Sequence, residues 1–246
     1  MQRQTIVDVP TIMKSLKALK GILAHTFEDS LVSQITALYD PLNTSIDGES
    51  IGKRALKNRY LSLYSALESE SSIALCEAHY YESRSMGERL VALDLLVNAS
   101  PTRASLALRH FYDRYNTQTL VMNKYLSIQA SSTQSDTLER VLSLKNDPVF
   151  DMKVPNLVRA LIGSFARNPV AFYEETGKGF EFVAKHVIEL DAINPQIASG
   201  LAGAFKYYSR LSPSLKGQMN KALQGILDHP GISNNVYEIV SKILEV

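Results

Sequence analysis

The 246-residue sequence contains one cysteine, Cys76. An intrachain disulfide is therefore impossible, which excludes a cystine-stapled framework and fits a reducing, cytoplasmic setting. An excess of either charge is also missing: Lys plus Arg number 26 against 25 for Asp plus Glu. That balance supplies no broad field for capturing nucleic acid or an anionic membrane surface, so neither is expected as a partner. No stretch approaches the roughly 18 consecutive apolar residues of a membrane-spanning helix. The opening M-Q-R-Q-T-I-V-D-V-P carries neither the apolar run nor the small-residue cleavage site of a secretory signal. Met1 reads equally well as a natural start or as the first residue of an excised piece.

The usual catalytic signatures are missing as well. Five histidines stand at positions 25, 79, 110, 186 and 229, none within H-E-x-x-H, the spacing that sets two imidazoles on one helical face. His79 with Glu82 and His186 with Glu189 lie three apart, but two ligands are too few for zinc, so no metal site is expected in this chain. G-E-S-I-G-K-R at 48–54 is one residue short of a phosphate loop, with arginine where the magnesium-binding hydroxyl belongs. There is no G-x-S-x-G elbow, and Cys76 has no base nearby. Lys53, Arg54, Lys57 and Arg59, beside Tyr60 and Tyr64, make a small basic cluster, read as a solvated helix face rather than an RNA site.

What the sequence does contain is helical periodicity. Ile12, Leu16, Leu19, Ile22 and Leu23 repeat at the spacing of one helical face, with Lys14, Lys17 and Lys20 opposite. Comparable patterns over 28–39, 51–67, 71–81, 86–97, 101–115, 119–130 and 136–144 predict further helices, as do those following Pro155, Gly179, Pro195, Pro213 and Ser233. Ser100-Pro101 and Ser212-Pro213 read as a cap followed by proline in the first turn, and Asp136 with Glu139 reads as a capping box. About fourteen helices and no strand pattern make the chain all-α. Short connections suggest stacked helical hairpins in an armadillo- or HEAT-like superhelical bowl, without a clear 40-residue sequence period. Residues 1–246 are expected to form a single helical domain.

The densest stretch is Val154–Ser199. Leu157, Val158, Leu161, Ile162 and Phe165 form the buried stripe of a helix that begins at Pro155, leaving Arg159 and Gly163 one turn apart on another face. Asn194 caps a second helix, with Pro195 in its first turn, Ile197, Leu201, Ala204 and Phe205 buried, and Gln196, Gly200 and Gly203 on another side. Two mid-helix glycines cost about 1 kcal/mol each against alanine, so that side is either packed closely or kept open.

These segments resemble the C-terminal helical domain of bacterial aminopeptidase N, a family of zinc-dependent gluzincin aminopeptidases. The matching motifs are P-N-x-x-R-A-L-I-G-x-F at 155–165, N-P-x-x-F at 168–172, the G-x-G turn at 177–179 and N-P-Q-x-A-S at 194–199. The likeness continues through K-R-A-L-K-N at 53–58, L-V-M-N-K-Y-L-S-I-Q-A at 120–130 and V-Y-E-I-V-S-K at 236–242. It implies a catalytic domain of the same polypeptide outside this chain, carrying zinc, H-E-x-x-H and G-A-M-E-N. This chain would then have no cofactor and no catalytic residue of its own. It would act as a lid over the zinc site, lining the side that receives peptide residues beyond the scissile bond. Arg159 and Gln196 match cavity-facing family positions and are the candidate substrate-binding residues. Gly200 stands where close relatives have arginine, which should loosen the departing peptide. Tyr173 replaces a usual histidine and Thr176 a usual aspartate, neither with an assigned role. The alternative is a stand-alone helical scaffold or peptide-binding module.

Overall fold

A computed structural model describes residues 6–245; Met1 and its reading as a start lie outside them. Thirteen α-helices account for most of the described chain, with no strand and only an isolated parallel bridge between Val7 and Leu211. In order they are α1 (Val9–Thr26), α2 (Glu28–Ala37), α3 (Gly48–Tyr64), α4 (Glu70–Glu82), α5 (Met86–Ala99), α6 (Pro101–Tyr115), α7 (Thr119–Ala130), α8 (Thr137–Lys145), α9 (Pro155–Ala166), α10 (Lys178–Asp191), α11 (Pro195–Ala202), α12 (Pro213–Leu227) and α13 (Asn234–Leu244). Short 3₁₀ turns occupy Ser65–Leu67, Gly203–Phe205 and Tyr208–Arg210. The all-α expectation holds. Asn194 caps as expected, accepting from the amide of Ile197, and Ser233, where the last helix is expected to start, accepts from that of Val236.

Other expected caps do not form. The Ser100 and Ser212 side chains make no capping bond. At α8, Asp136 has φ −85° and ψ 8°, outside the extended region that aims a cap oxygen at the following amides. Both its carboxylate oxygens accept instead from Arg140 Nη2, at 2.9 Å each.

The chain packs as two compact units, Lys14–Ile128 on one side and Met1–Met13 with Gln129–Val246 on the other. In the Lys14–Ile128 unit, α4, α5 and α6 bury Cys76, Tyr80, Leu93, Leu96 and Phe111 completely. The apolar pattern over 51–67 runs through Ala55, Leu56, Tyr60, Leu63, Tyr64 and Leu67, but the buried face of α3 is Lys57, Leu61 and Tyr64, and Ala55 and Leu56 are exposed. Lys57 is therefore an interior residue rather than part of a solvated face. Its partner is Glu88 on α5, and its ammonium lies 5.2 Å from the Tyr39 ring centre. Of the rest of the basic cluster, Lys53 pairs with Glu49, and Arg54 donates to the neutral Ser45 carbonyl at 2.6 Å.

The α1 residues of this unit expose their apolar stripe, with Leu16 46%, Leu19 51% and Ile22 63% accessible. Lys17, itself exposed, pairs with Glu68 just after the Ser65–Leu67 turn at 2.8 Å.

Asp94, half-buried on α5, gives a pH prediction. Burial pushes its carboxyl up to about 6, with the charge of Lys20 opposing. Between that value and the unfolded value near 4, the folded chain holds a proton that the unfolded chain releases, so lowering the pH stabilises the fold through this group. Asp94→Asn should be more stable than wild type by about 2 kcal/mol above pH 7. The advantage should shrink as the pH falls through 6 and vanish below about 4. Urea-denaturation midpoints of the two proteins across pH 4–8 measure it; a constant difference would refute the assignment.

Candidate functional site

The site lies in the unit of Met1–Met13 with Gln129–Val246. Proline 155 begins α9, and Leu157, Val158, Leu161, Ile162 and Phe165 are all buried, as their spacing requires. Asn168 fixes the turn that follows. Its amide donates to the Ala130 and Ser132 carbonyls at 3.1 and 2.7 Å, and its oxygen accepts from the Val170 and Ala171 amides at 3.0 and 3.2 Å. Every polar atom of that buried side chain has a partner. Phe172 then enters an aromatic cluster, with ring centres 5.0 Å from Phe180 and 5.5 Å from Phe205. Gly177 precedes α10 at φ +79°, a backbone that L side chains rarely adopt.

This framework leaves a cavity of about 680 Å³ between α9, α11 and the segment after α11. Arg159, Arg167, Gln196, Gly200, Gly203 and Lys206 line it, over an apolar base that includes Val158 and Leu201 and a wall containing Tyr173 and Tyr207. Val7 and Val9 close one edge, tied down by the Val7 amide donating to the Arg210 carbonyl at 2.7 Å. Both residues singled out from sequence, Arg159 and Gln196, line this cavity and are exposed. A Cβ added at Gly200 or Gly203 would meet no atom within 4 Å. Those glycines leave space rather than permit close helix packing. The helix begun at Pro195 is also shorter than its pattern, becoming 3₁₀ at Gly203 and leaving Ile197 and Ala204 partly exposed.

The arginine over Gly163 is Arg167, not Arg159. Helical side chains lean toward the N-terminus, so a given turn is covered by the residue that follows it. Arg167 Nη1 would stand 3.3 Å from a Cβ at Gly163, and Arg167 Nη2 reaches the Arg159 carbonyl and Ser164 Oγ, each at 3.4 Å. Sequence reasoning missed Arg167 and Lys206. Arg167 had a legible signal, since it follows the last helical residue of α9 and can fold back over Gly163 one turn before it; Lys206 had none, because it follows an irregular turn.

Tyr173 is buried in the cavity wall, and burial first, then Tyr207, pushes its phenol up to about 12. Thr176 is in the turn before α10, donating to both Glu174 carboxylate oxygens at 2.6 and 2.7 Å. Partial burial raises the Glu174 carboxyl, but hydrogen bonds from Thr176, Lys178 and Gly179 outweigh it and leave the carboxyl below the usual range.

Among the described residues, no group of three His, Cys, Asp or Glu side chains could hold a metal ion. His79 and His186 each direct Nδ1 at a carbonyl of their own helix, Leu75 and Phe182 at 2.8 and 2.6 Å. The carboxylate near His186 is that of Glu189, 3.8 Å from Nε2. Cys76 is buried and its thiol is pushed up to about 12 by burial, which suits an inert core residue.

Fold and cavity define a helical-repeat domain with an open, cation-lined cleft. A family model described as a domain of unknown function with ARM repeats, DUF3458_C, matches residues 1–245, and the chain belongs to that family. It is 33% identical to aminopeptidase N of Caulobacter vibrioides over 201 residues, 81% of this chain and 23% of that protein. It is 32% identical to aminopeptidase N of Escherichia coli over 241 residues, 97% of this chain and 28% of that protein. The crystal structure of Legionella pneumophila aminopeptidase A in complex with aspartic acid superposes with a TM-score of 0.89 at 25% identity, covering 99% of this chain and 30% of that one. The resemblance to bacterial aminopeptidase N therefore holds, and the chain spans about a quarter of the length of the curated relatives it matches.

Proposed function

We propose that this chain is the substrate-access domain of a zinc aminopeptidase. It caps the active site and lines the side that receives peptide residues beyond the scissile bond. The observation that carries this reading is the joint placement of Arg159 and Gln196 on one open cavity, within a chain similar to a quarter of aminopeptidase N. The donors suit a peptide ligand, because a guanidinium and a carboxamide can hold peptide carbonyls or a carboxylate. Gly200 widens the cavity, which should favour easy departure of the released peptide.

The zinc would be supplied by the remainder of the polypeptide, because the described residues of this chain do not fit a zinc site. By this reading the partners are that catalytic portion and peptide substrates. Nucleic acid and membrane are not partners in it. Two cations of the basic cluster, Lys53 and Lys57, are paired with Glu49 and Glu88, and none of the described helices is long and apolar enough to cross a membrane. A cytoplasmic location fits the single inert cysteine.

With the catalytic portion joined, Arg159→Ala should reduce kcat/KM for tri- and tetrapeptides about tenfold while changing that for single-residue amides less than twofold, the loss of one charge-assisted contact. Equal effects on both substrate classes would remove the residue from the site. The chain alone should hydrolyse no alanyl chromogenic substrate, with or without zinc; zinc-dependent turnover by the pure chain would defeat the reading.

A further inference from the structure

We infer that the cavity is a carboxylate receptor, and that Arg167 and Lys206 act with Arg159 to select peptides presenting a free carboxylate near the scissile bond. The inference rests on the reading of this cavity as peptide-lining and adds the chemistry of its ligand.

Three cationic side chains line the cavity and no aspartate or glutamate does. None of the three is ion-paired among the described residues. Arg159 donates only to Asn156 Oδ1, at 3.2 Å. Arg167 makes two contacts at 3.4 Å, at the long end of hydrogen bonding, so most of its five N–H donors remain available. Lys206 Nζ rests 5.1 Å from the Tyr207 ring centre, a contact that leaves its three N–H donors free to bond an anion.

The placement of these groups follows from the backbone. Arg167 is the C-cap residue of α9, about two turns beyond Arg159, and Gly163 between them leaves room for the Arg167 guanidinium to lie back against the helix. Gly200 and Gly203, each with open space above it, line the same cavity as these cations. The concave, partly apolar wall lowers the local dielectric and strengthens the attraction for an anion. Planar guanidinium groups match a carboxylate by paired hydrogen bonds, whereas a C-terminal amide offers one neutral acceptor and brings donors that face other donors. The carboxylate can come from a peptide C-terminus or from an acidic side chain, and the test separates these sources.

The full 246-residue chain is titrated with N-acetylalanyl-alanine, its C-terminal amide, and N-acetylalanyl-aspartic acid amide, whose only carboxylate is on the side chain. Amide resonances of Gly163, Gly200 and Gly203 are followed by NMR. The free acid should shift all three and bind at least tenfold more tightly than its amide, with affinity falling as salt rises. Arg167→Met and Arg159→Met, both exposed positions, should each weaken the acid at least fivefold and leave the amide unchanged, and Arg167→Lys should recover part of the loss. Binding of the aspartate probe at the level of the free acid assigns the site to carboxylates from either source; failure of that probe alone assigns it to the terminus. An amide that binds as tightly as the acid, an acid unaffected by either substitution, or no binding by any probe overturns the inference. Tight amide binding on the same resonances would leave the peptide-lining reading intact. Acid binding combined with unchanged turnover in the joined Arg159→Ala enzyme would instead defeat that reading and leave the carboxylate receptor standing.

Discussion

Lys57→Met alone should destabilise the unit of residues 14–128 by about 3–5 kcal/mol, whereas Lys57→Met combined with Glu88→Leu should lie within about 1 kcal/mol of wild type or above it. Both side chains are buried, at 0% and 1% exposure, and each is the other's counter-ion. Removing the cation strands an ionised carboxylate in the interior, while removing both exchanges a desolvated pair for apolar packing. The surroundings make the interior strongly polarised: the Tyr39 ring faces Lys57, the Tyr39 hydroxyl donates to Glu82, and the His79 ring packs 4.9 Å from Tyr39. Burial, and then the charge of Lys57, keep His79 neutral to lower pH than an exposed histidine. Urea denaturation followed by helical circular dichroism measures the cycle. A single variant losing less than 1 kcal/mol would show that water reaches Glu88.

Gly179→Ala should cost about 3 kcal/mol, the upper part of the range for overpacking a filled site. The added Cβ would stand 2.5 Å from the Ala171 carbonyl oxygen, 2.6 Å from that of Phe172 and 2.9 Å from the Phe172 Cα. These are backbone atoms, held by the Asn168 turn and the Phe172 aromatic cluster, so the first turn of α10 would have to move. Gly200→Ala should do the opposite and gain up to about 1 kcal/mol, because its Cβ enters open space within α11. Thermal unfolding of both variants tests the pair; the same sign for both would show that backbone approach is not what distinguishes them.

These glycines show where the sequence was readable. Gly179 and Gly200 are the same residue type, both inside helices, yet one marks a close backbone approach and the other an opening. Periodicity located α9 correctly because five large apolar residues at helical spacing leave one way to bury them. For α3 it was right about Tyr64 but not about the first turns: Ala55 and Leu56 looked like core and are exposed, while Glu88 on a distant helix admits Lys57 instead. Asp136 looked like a cap, yet Arg140 one turn later takes its carboxylate. Lysine 206 could not be assigned to the cavity, since the 3₁₀ turn that positions it interrupts the helical pattern.

Local spacing, proline and capping chemistry by themselves determined that this chain is helical, where most helices begin, and that α9 buries one stripe while showing Arg159 on another face. Those are properties of the 3.6-residue period and of single backbone groups. Only the tertiary structure decided that the apolar stripe of α1 points outward, that Lys57 is interior, and that Arg159, Arg167, Gln196 and Lys206 share one cavity. Each depends on which distant atoms arrive opposite a side chain, and on whether they bring a counter-charge, a packing surface or empty space.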